Sequence, residues 1–426
     1  MIRRTSKRPW QTGPVLLIAG ALILAACGRS EETTGASDAA SLDDAPASGS
    51  LTIWAQGTEG EALPELVEQF EAENPDVKID VTAVPWDSAQ NKYQTAIAGG
   101  NTPDIGMLGV DWIPTFVDAL EPTPEDIDLD GMFPGAVEST QFDGTTYTVP
   151  WYVETRVVFY RTDLMREAGF DEFPDDWEGF KALAAAYQDN GARYGVGLPS
   201  GGWNAFLGGM PFAWSNGAEL MTDDGSEWTI DTPEILEAVE YLKTFFDEGI
   251  ATKNPDSTSG PAADLVSGDV PMMISGPWDV GQIMAAGGEG FEDQFAVARI
   301  PGVTSSTSLI AGANLAVFEG SENVESAWKL IRWLSEPEVQ QEWFELTGDL
   351  PSQIEAWDTP ALSENPLVAV FGEQLDDVRS LPMATTWPEL SAAADTAVEQ
   401  IYRGGKDAAL ALEELQASAD SLGTGR

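Results

Sequence analysis

The stretch Tyr147–Tyr160, which reads YTVPWYVETRVVFY, decides the fold predicted for this chain. Two β-rich runs, Tyr147–Val149 and Val157–Tyr160, flank a centre that is rich in aromatic and charged residues. Proline cannot donate to a sheet ladder, so Pro150 is expected to interrupt the pairing there. A strand that leaves one domain at this point can enter another, and ligand pockets favour such domain interfaces. An ordinary buried strand pair with one salt bridge fits these residues equally well.

The N-terminus has the features of an export signal. Four basic residues within the first eight positions precede the apolar run Val15–Ala26, which is too short for a permanent membrane span. The run ends in Leu24-Ala25-Ala26-Cys27, which resembles the lipobox at which bacterial lipoproteins are cut and lipidated. Cys27 is the only cysteine, so we expect a signal peptide over 1–26, a lipid on Cys27 and a flexible tether over 27–50. A plain secreted protein is the alternative.

The composition narrows the classes of partner. The chain has 71 Asp and Glu against 21 Lys and Arg, a formal net charge of −50, and it has no His. Such a field repels nucleic acid and anionic lipid head groups, and it is typical of a solvated acidic surface in high salt. Because the commonest general base and metal ligand is missing, hydrolase and zinc chemistry are disfavoured, and no cofactor is predicted. The length indicates two domains of ordinary size.

Strands and helices alternate from Leu51 onward. Leu51–Trp54 and Val77–Val81 are predicted strands, and between them apolar residues recur at helical spacing until Asn74-Pro75 ends the helix. A third strand is predicted at Pro103–Leu108, which indicates an α/β layer with right-handed β-α-β connections. Later helices are predicted at Pro174–Tyr187, Pro233–Phe246, Ser321–Leu334, Glu338–Thr347, Pro388–Tyr402 and Lys406–Ala417, and later strands at Tyr194–Gly197, Val270–Ile274, Phe295–Ile300 and Ile310–Phe318.

Two short motifs carry their own structural predictions. Ser335-x-x-Glu338 matches a capping box that would begin a helix, and Gly348 is expected to end that helix. Asp126-x-Asp128-x-Asp130-Gly131 copies the first half of a calcium loop, but Val137 occupies the position of the final acidic ligand. An acidic surface turn is therefore favoured over a calcium site.

Aromatic residues outside the regular elements indicate a binding surface. Six of the fifteen Trp lie at element ends or in Gly/Pro-rich loops: Trp86, Trp112, Trp151, Trp203, Trp278 and Trp387. Sugar rings present apolar faces that stack on indole, and their hydroxyl groups need carboxylate, amide or guanidinium partners. The candidates for such partners near these Trp residues are Asp111, Glu154, Arg156, Asn204, Asp279 and Asn314. Any one of them is more often a surface or capping residue, so the prediction depends on their grouping.

Six segments in a fixed order resemble one family. They read LTIWAQGTEGEALPELVEQFEAENPDVKIDV, TPDIGMLGVDWIPTFVDAL, DGTTYTVPWYVETRVVFYRTDLMREAG, GDVPMMISGPWDV, IAGANLAVFEGSENVESAWKLIRWLSEPEVQQEW and GDLPSQIEAW. Behind a lipobox, this order is similar to the carbohydrate-binding lipoproteins of ABC importers, the group that includes maltose- and trehalose-binding proteins. The resemblance implies an α/β, two-lobed periplasmic-binding-protein-like fold with a ligand cleft between the lobes. The expected boundaries are 51–153 with 301–349 for lobe 1, and 154–300 with 350–426 for lobe 2.

The resemblance also implies a set of ligand contacts. They are the polar pair Thr58 and Glu59, the acids Asp111 and Glu154, the stacking Trp278, the C-terminal Trp387, and Gly312 and Asn314 at a strand start near the cleft. Leu108 and Ala313 stand where some relatives have aromatic residues, which argues against maltodextrin as the ligand. Arg156 lies outside the maltose-binder pattern and is expected to contact a hydroxyl or carboxylate group. The predicted site is completed by Trp86, Trp203, Asn204 and Asp279.

The main hypothesis is a non-enzymatic receptor that captures a mono- or oligosaccharide and passes it to the permease subunits of an ABC importer. We expect a monomer on the extracytoplasmic face of the cell membrane, anchored through Cys27. A secreted glycoside hydrolase is the first alternative, because carboxylates beside Trp also describe a glycosidase subsite. The same fold binding a peptide, polyamine or compatible solute is the second.

Overall fold

The structure is a computed structural model that describes residues 42–43, 45–254 and 260–425. The predicted signal peptide, Cys27 and most of the predicted tether lie outside the described residues. The strands are β1 (Gly49–Gln56), β2 (Val77–Val84), β3 (Ile105–Gly109), β4 (Gln141–Phe142), β5 (Thr145–Thr146), β6 (Val149–Thr155), β7 (Val157–Arg161), β8 (Met272–Ser275), β9 (Phe295–Ala298), β10 (Ser308–Val317), β11 (Leu350–Pro351) and β12 (Val378–Ser380).

Helices account for most of the remaining regular structure. The α-helices are α1 (Gly57–Glu73), α2 (Trp86–Gly99), α3 (Ile113–Phe116), α4 (Pro134–Glu138), α5 (Thr162–Glu167), α6 (Trp177–Asp189), α7 (Ala205–Ser215), α8 (Pro233–Asp247), α9 (Pro261–Ser267), α10 (Trp278–Gly287), α11 (Val324–Leu334), α12 (Pro337–Thr347), α13 (Pro360–Ser363), α14 (Pro366–Leu375), α15 (Trp387–Tyr402) and α16 (Ala408–Leu422). None of the helices in the described ranges combines the length and hydropathy that crossing a membrane requires.

Seven of the strands form the larger sheet, in the order β11-β6-β10-β3-β1-β2, with β12 beside the start of β10. The predicted β-α-β unit is confirmed, since β1 pairs in parallel with β2 on one side and with β3 on the other. β10 runs antiparallel to both β3 and β6. β6 therefore points in the same direction as β1 and β3, and the carboxyl ends of these three strands meet at one edge of the sheet.

The chain leaves the larger sheet at the predicted crossing. A single residue, Arg156, separates β6 from β7, and β7 is the central strand of a smaller antiparallel sheet with the order β8-β7-β9. In that sheet Val157, the first residue of β7, pairs with Ser275, the last residue of β8. The loop after β8 is thereby placed beside the end of β6.

The predicted break at Pro150 is wrong. β6 runs from Val149 through Thr155 without interruption. The sheet accommodates the missing N–H of proline with a bulge, in which Tyr152 pairs with Ala313 and Pro150 pairs with Asn314. The residue between them is left over in this register, which increases the local twist near the crossing.

Separate hydrophobic cores stabilise the two sheets. Helices α1, α11 and α12 pack on the larger sheet through buried residues that include Leu63, Trp328 and Trp343. Helices α6, α7 and α8 form another core through residues such as Phe180 and Phe212, which α15 and α16 extend. These clusters match the two-lobed α/β architecture expected from the sequence, because each lobe needs an apolar interior of its own.

Two local expectations fail. Residues Tyr194–Gly197 form no strand and contribute only an isolated bridge between Gly197 and Met273. The capping box is absent, because α12 begins after Glu336 and the Ser335 hydroxyl donates backward to the carbonyl of Ile331. The predicted end of α12 is confirmed, since Gly348 adopts a left-handed conformation with φ +82°.

The end of the predicted tether lies against the folded body. Leu42 donates its backbone N–H to Asp126 at 2.8 Å, and Ala47 donates to Asn74 at 2.8 Å. Lys329 is buried on α11, and its ammonium group forms an ion pair with Asp43. A buried ammonium group needs partners of opposite charge. The ion pair between Lys329 and Asp43 therefore holds this end of the predicted tether against the folded body, which the composition of the tether did not indicate.

Candidate ligand-binding site

Several of the predicted contact residues lie at the carboxyl edge of the larger sheet. Thr58 and Glu59 follow β1 in the first turn of α1, Asp111 follows β3, and Glu154 is near the end of β6. Segments that are distant in the sequence meet here because the three strands run in the same direction. Open α/β sheets bind ligands outside this edge.

The carboxylate of Glu59 is buried and held by two hydroxyl groups. Tyr152 donates its hydroxyl to Oε1 at 2.8 Å, and Thr58 donates to Oε2 at 3.2 Å. Burial raises the pKa of Tyr152 well above its ordinary value, and the negative charges of Asp349, Glu59 and Glu154 raise it further. Three carboxyl groups from α1, β6 and the loop before β11 therefore surround one tyrosine.

Asp349 is the most perturbed carboxyl group of this cluster. It lies between α12 and β11, where burial raises its pKa to about 8 and the charges of Glu59 and Glu154 add to the increase. The nearby side chains of Thr347 and Trp343 act in the opposite direction, although the indole N–H of Trp343 makes no hydrogen bond to a described residue. Oδ2 of Asp349 is buried and has no hydrogen-bond partner among the described residues. Burial beside two negative charges therefore favours the protonated form of Asp349.

Arg156 connects the cluster to an aromatic surface. Its Nη1 lies 3.2 Å from Oε1 of Glu154, and its guanidinium group lies 4.5 Å from the ring centroid of Trp278. Trp278 is 41 % exposed at the start of α10. A Cβ on Gly276 would approach the Trp278 ring to 2.2 Å and Nη1 of Arg156 to 2.8 Å, so glycine is required for this packing.

Asp279 lies next to Trp278 in the first turn of α10 and close to Arg156. Its carboxyl group is buried in the first turn of α10 and accepts a hydrogen bond from the Ser275 hydroxyl. Burial raises the pKa of Asp279, while the hydrogen bond from Ser275 and the positive charge of Arg156 lower it. Asp279 is therefore mostly shielded from solvent and lies close to Arg156 and Trp278.

A second aromatic surface adjoins Glu59. Trp86, at the start of α2, is 38 % exposed and packs edge-to-face on Trp112 with ring centroids 5.9 Å apart. Gly57 has φ +55°, and a Cβ there would lie 2.8 Å from Oε2 of Glu59 and 2.9 Å from Nε1 of Trp86. The indole N–H of Trp86 and the carboxylate of Glu59 thus both lie close to this glycine.

Asp111 and Trp387 join the large-sheet edge to the helical core of the other lobe. Burial raises the pKa of Asp111 to about 6, and a hydrogen bond from the Trp387 side chain lowers it. Trp387 is only 2 % exposed at the start of α15, where it packs against Trp228 with ring centroids 6.0 Å apart. Trp387 thus offers little free ring surface for stacking in this structure.

Three predicted residues lie apart from the cluster or point away from it. Trp203 is 89 % exposed, and Asn204 begins α7 with φ +61° while its backbone N–H donates to Asp395 at 2.8 Å. Asn314 is buried, and its amide donates to Ser139 and to Thr148 Oγ1 at 3.1 Å. The structure therefore shows packing or capping contacts for Asn204 and Asn314, and their role in ligand binding stays a prediction.

Gly312 lies in β10 next to the bulge, opposite Val153. Its φ is +126°, and a Cβ would lie 2.2 Å from the carbonyl oxygen of Tyr152. The sequence identified this glycine as a contact residue through the family pattern. Its observed role is to let β10 approach β6 beneath the carboxylate cluster.

Two other cavities and one acidic loop of the described residues lack this combination of groups. One cavity of about 540 Å³ is lined by Trp54 and Lys92, and another of about 550 Å³ by Arg299 and the loop 302–306. In the calcium-like motif Asp126 accepts from Leu42 and Asp128 accepts from the N–H of Asp130. Within the described ranges, no group of three or more His, Cys, Asp or Glu is arranged to hold a metal ion.

Sequence reasoning missed part of the site. Asp349 and Tyr152 lie in the candidate site but were not among the predicted contacts, and Trp112 was named only as an aromatic residue of the predicted binding surface. Asp349 lies in the segment GDLPSQIEAW, which supported the family resemblance without being assigned a role. An acidic residue directly after the helix-ending Gly348 and directly before an apolar strand is the signal that could have indicated it.

Comparison with known proteins agrees with this architecture. The sugar-binding protein MalE of Xanthomonas citri superposes with a TM-score of 0.81 at 31 % identity, covering 88 % of this chain and 97 % of that chain. The GacH receptor of Streptomyces glaucescens superposes with a TM-score of 0.78 at 26 % identity, covering 88 % and 98 %. The maltotriose-binding protein of Pyrococcus abyssi is 26 % identical over 378 residues, which are 85 % of this chain and 79 % of that protein.

The family comparison covers the smaller sheet, most strands of the larger sheet and most of the site. The profile of the bacterial extracellular solute-binding proteins matches residues 65–370, a span that includes Asp111, Glu154, Trp278 and Asp349. Its boundaries also enclose the crossing at Arg156 and the pairing of β10 with β6. The two-lobed fold, the cluster at its carboxyl edge and this match lead to one conclusion: the chain belongs to the bacterial extracellular solute-binding proteins.

Proposed function

We propose that this protein is the receptor of an ABC importer that captures a small carbohydrate in the cleft between its lobes. The observation that carries the proposal is the pairing of Trp278 with Arg156 and Glu154 beside a buried carboxylate cluster. An exposed indole offers a flat apolar face, and the neighbouring ionised groups can accept or donate hydrogen bonds in the plane of a sugar ring. Relatives described as maltotriose-, diacetylchitobiose- and lactose-binding proteins support the carbohydrate class.

Two tryptophans provide a matched test of the site. Trp278→Ala removes the exposed ring that stacks on Arg156, and we expect a loss of about 2 kcal/mol or more in binding free energy. Trp203→Ala removes a ring that is 89 % exposed and lies apart from the cluster, so the affinity of this variant should stay within twofold of wild type. Calorimetric titration of a sugar panel measures both. Equal losses, or no loss in either variant, would contradict the assignment of the cleft.

We further propose that binding occurs without turnover. The raised pKa of Asp349 next to Glu59 and Glu154 resembles the carboxyl environment of a glycosidase acid, so the alternative is tested directly. Incubation with a panel of aryl glycosides should release no aglycone. Release that is abolished by Asp349→Asn would instead favour a hydrolase.

Localisation and assembly complete the proposal. We propose a lipid anchor on Cys27 that holds a monomeric receptor at the extracytoplasmic face of the membrane. Cys27→Ala should move the protein from the membrane fraction to the soluble fraction in cell fractionation. Light scattering of the soluble Cys27→Ala variant should give the mass of a single chain. Retention of this variant in the membrane fraction would exclude the lipid anchor.

A further inference from the structure

We infer that Arg156 is a positioning residue of the ligand site, which orients the ring of Trp278 relative to the carboxylate of Glu154. The inference rests on the proposed function for the location of the site. It gives Arg156 a role different from the ligand contact that the sequence predicted, because Arg156 acts on the ligand through Trp278 rather than by touching it.

Arg156 lies at the point where the two sheets are joined. It is the single residue between β6 of the larger sheet and β7 of the smaller sheet. Its backbone carbonyl accepts a hydrogen bond from the Ser308 hydroxyl at 2.9 Å. Ser308 is the first residue of β10, the strand in which the chain re-enters the larger sheet after β9. The backbone of Arg156 is therefore held at two connections between the sheets.

The side chain of Arg156 extends from this fixed backbone to both predicted contacts. It is 22 % exposed, and its Nη1 lies 3.2 Å from Oε1 of Glu154 in β6. Its guanidinium carbon lies 4.5 Å from the ring centroid of Trp278, the first residue of α10. Gly276 leaves space for this packing, since a Cβ there would lie 2.8 Å from Nη1 and 2.2 Å from the ring. One guanidinium group thus contacts a carboxylate and an indole ring together.

The Trp278 ring depends on this contact for its orientation. No aromatic ring of the described residues packs against Trp278, whereas Trp86 packs edge-to-face on Trp112. A cation over the face of an indole ring is attracted by its π electrons, and a planar guanidinium group also stacks there. Folding therefore restricts the rotamer of an otherwise exposed ring, so less side-chain entropy is lost when a sugar stacks on it.

Direct contact between Arg156 and the ligand is the competing explanation. Nη1 is buried and makes no hydrogen bond to a described residue, although it lies close to Glu154. A guanidinium group oriented by a carboxylate aligns its N–H groups with the two oxygens. Stacking on Trp278 therefore sets the plane of the group, and Nη1 can reach a ligand only by leaving this arrangement.

The first experiment measures the order of the Trp278 ring in the ligand-free protein. After labelling with 5-fluorotryptophan, the fluorine resonance of Trp278 is the one that disappears in Trp278→Phe. Its transverse relaxation rate should fall by about a third or more in Arg156→Met, because a released surface ring changes rotamer faster than the protein tumbles. Arg156→Lys keeps a positive charge beside Glu154 but not the planar contact, so the rate should fall in this variant too.

The matched control is Arg166→Met, since Arg166 is exposed on α5 and its loss changes the net charge equally. This variant should leave the relaxation rate of Trp278 at the wild-type value. A rate that does not fall in Arg156→Met, or that Arg156→Lys restores to the wild-type value, would overturn the inference.

The second experiment is a double-mutant cycle in sugar affinity. Calorimetric titrations use maltotriose, diacetylchitobiose and lactose, the sugars named for the relatives. With the sugar that binds, Arg156→Lys should weaken binding about fivefold or more in the wild-type protein and less than about twofold in the Trp278→Ala background, because its effect passes through the ring. Equal losses in both backgrounds would indicate direct contact with the ligand and overturn the inference. If none of the three sugars binds, the proposed function is contradicted, while the relaxation rates still decide the role of Arg156.

Discussion

The ligand-free protein should lose stability between pH 6 and pH 8 because of one carboxyl group, Asp349. Burial raises its pKa from the ordinary 3.8 to about 8 in the folded chain. The folded state therefore binds more protons than the unfolded state across this interval, by about one at pH 6 and about one half at pH 8, so the free energy of unfolding falls as the pH rises. Replacing the group by an amide, Asp349→Asn, removes the titration while keeping the shape of the side chain.

The size of the effect follows from that pKa. A full proton difference changes the free energy of unfolding by 1.36 kcal/mol per pH unit, and the slope declines to about half near the folded pKa. Between pH 6 and pH 8 the wild-type protein should lose about 2 kcal/mol. With an unfolding entropy of roughly 0.8 kcal/mol/K for a body of this size, Tm should fall by about 3 °C.

Differential scanning calorimetry of the ligand-free protein at a series of pH values measures this slope. Other groups contribute little to the pH dependence of Tm between pH 6 and pH 8. The chain has no His, and Asp111, with a pKa of about 6, titrates mainly below pH 6. Asp349→Asn should show a nearly constant Tm from pH 6 to pH 8, and Asp171→Asn should keep the wild-type slope. If Asp349→Asn and the wild type decline in parallel, Asp349 does not hold a proton in the folded chain and the reasoning fails.

Three further predictions concern the site and the two lobes. Glu154→Gln removes the partner of Arg156 and should weaken sugar binding by roughly 1.5–3 kcal/mol in calorimetry with an unchanged ligand-free Tm, whereas Asn314→Ala, which leaves Ser139 and Thr148 without their buried donor, should lower that Tm and spare affinity. Gly312→Ala should destabilise the protein by about 2 kcal/mol or more in thermal unfolding, because its Cβ would lie 2.2 Å from a carbonyl oxygen; an unchanged Tm would show that β10 can shift. A saturating ligand should reduce the radius of gyration in small-angle scattering, since a ligand gripped by two lobes favours the closed state, and an identical scattering curve would exclude closure.

Much of the fold could be read from local patterns. Hydrophobic periodicity located α1, α6 and α8 and the first strands, because burial against one core imposes a helical or alternating spacing on the sequence. The patterns failed where tertiary contacts outweigh local preference. Pro150 lies within a continuous strand because a bulge absorbs its missing donor, and Ser335 turns back toward Ile331 rather than capping α12.

The candidate site likewise contains residues that the sequence indicated and one, Asp349, that it did not. Residue types alone indicated Glu154, Arg156 and Trp278, because polar groups beside aromatic residues outside the regular elements are recognisable in the sequence, and the family resemblance added Glu59. Asp349 could not be found by that route. Its raised pKa depends on burial and on the charges of Glu59 and Glu154, which are far from it in the sequence. Only the folded chain brings these groups together.

The sequence by itself determined the α/β class, a crossing within Tyr147–Tyr160, the acidic composition and the lack of any histidine. These properties depend on composition and on spacing between neighbours. Only the tertiary structure decided that Trp387 is buried against Trp228, that Trp203 is exposed apart from the cluster, and that three carboxyl groups converge on Tyr152. Burial and charge proximity depend on through-space distance, and strand direction in the larger sheet sets those distances.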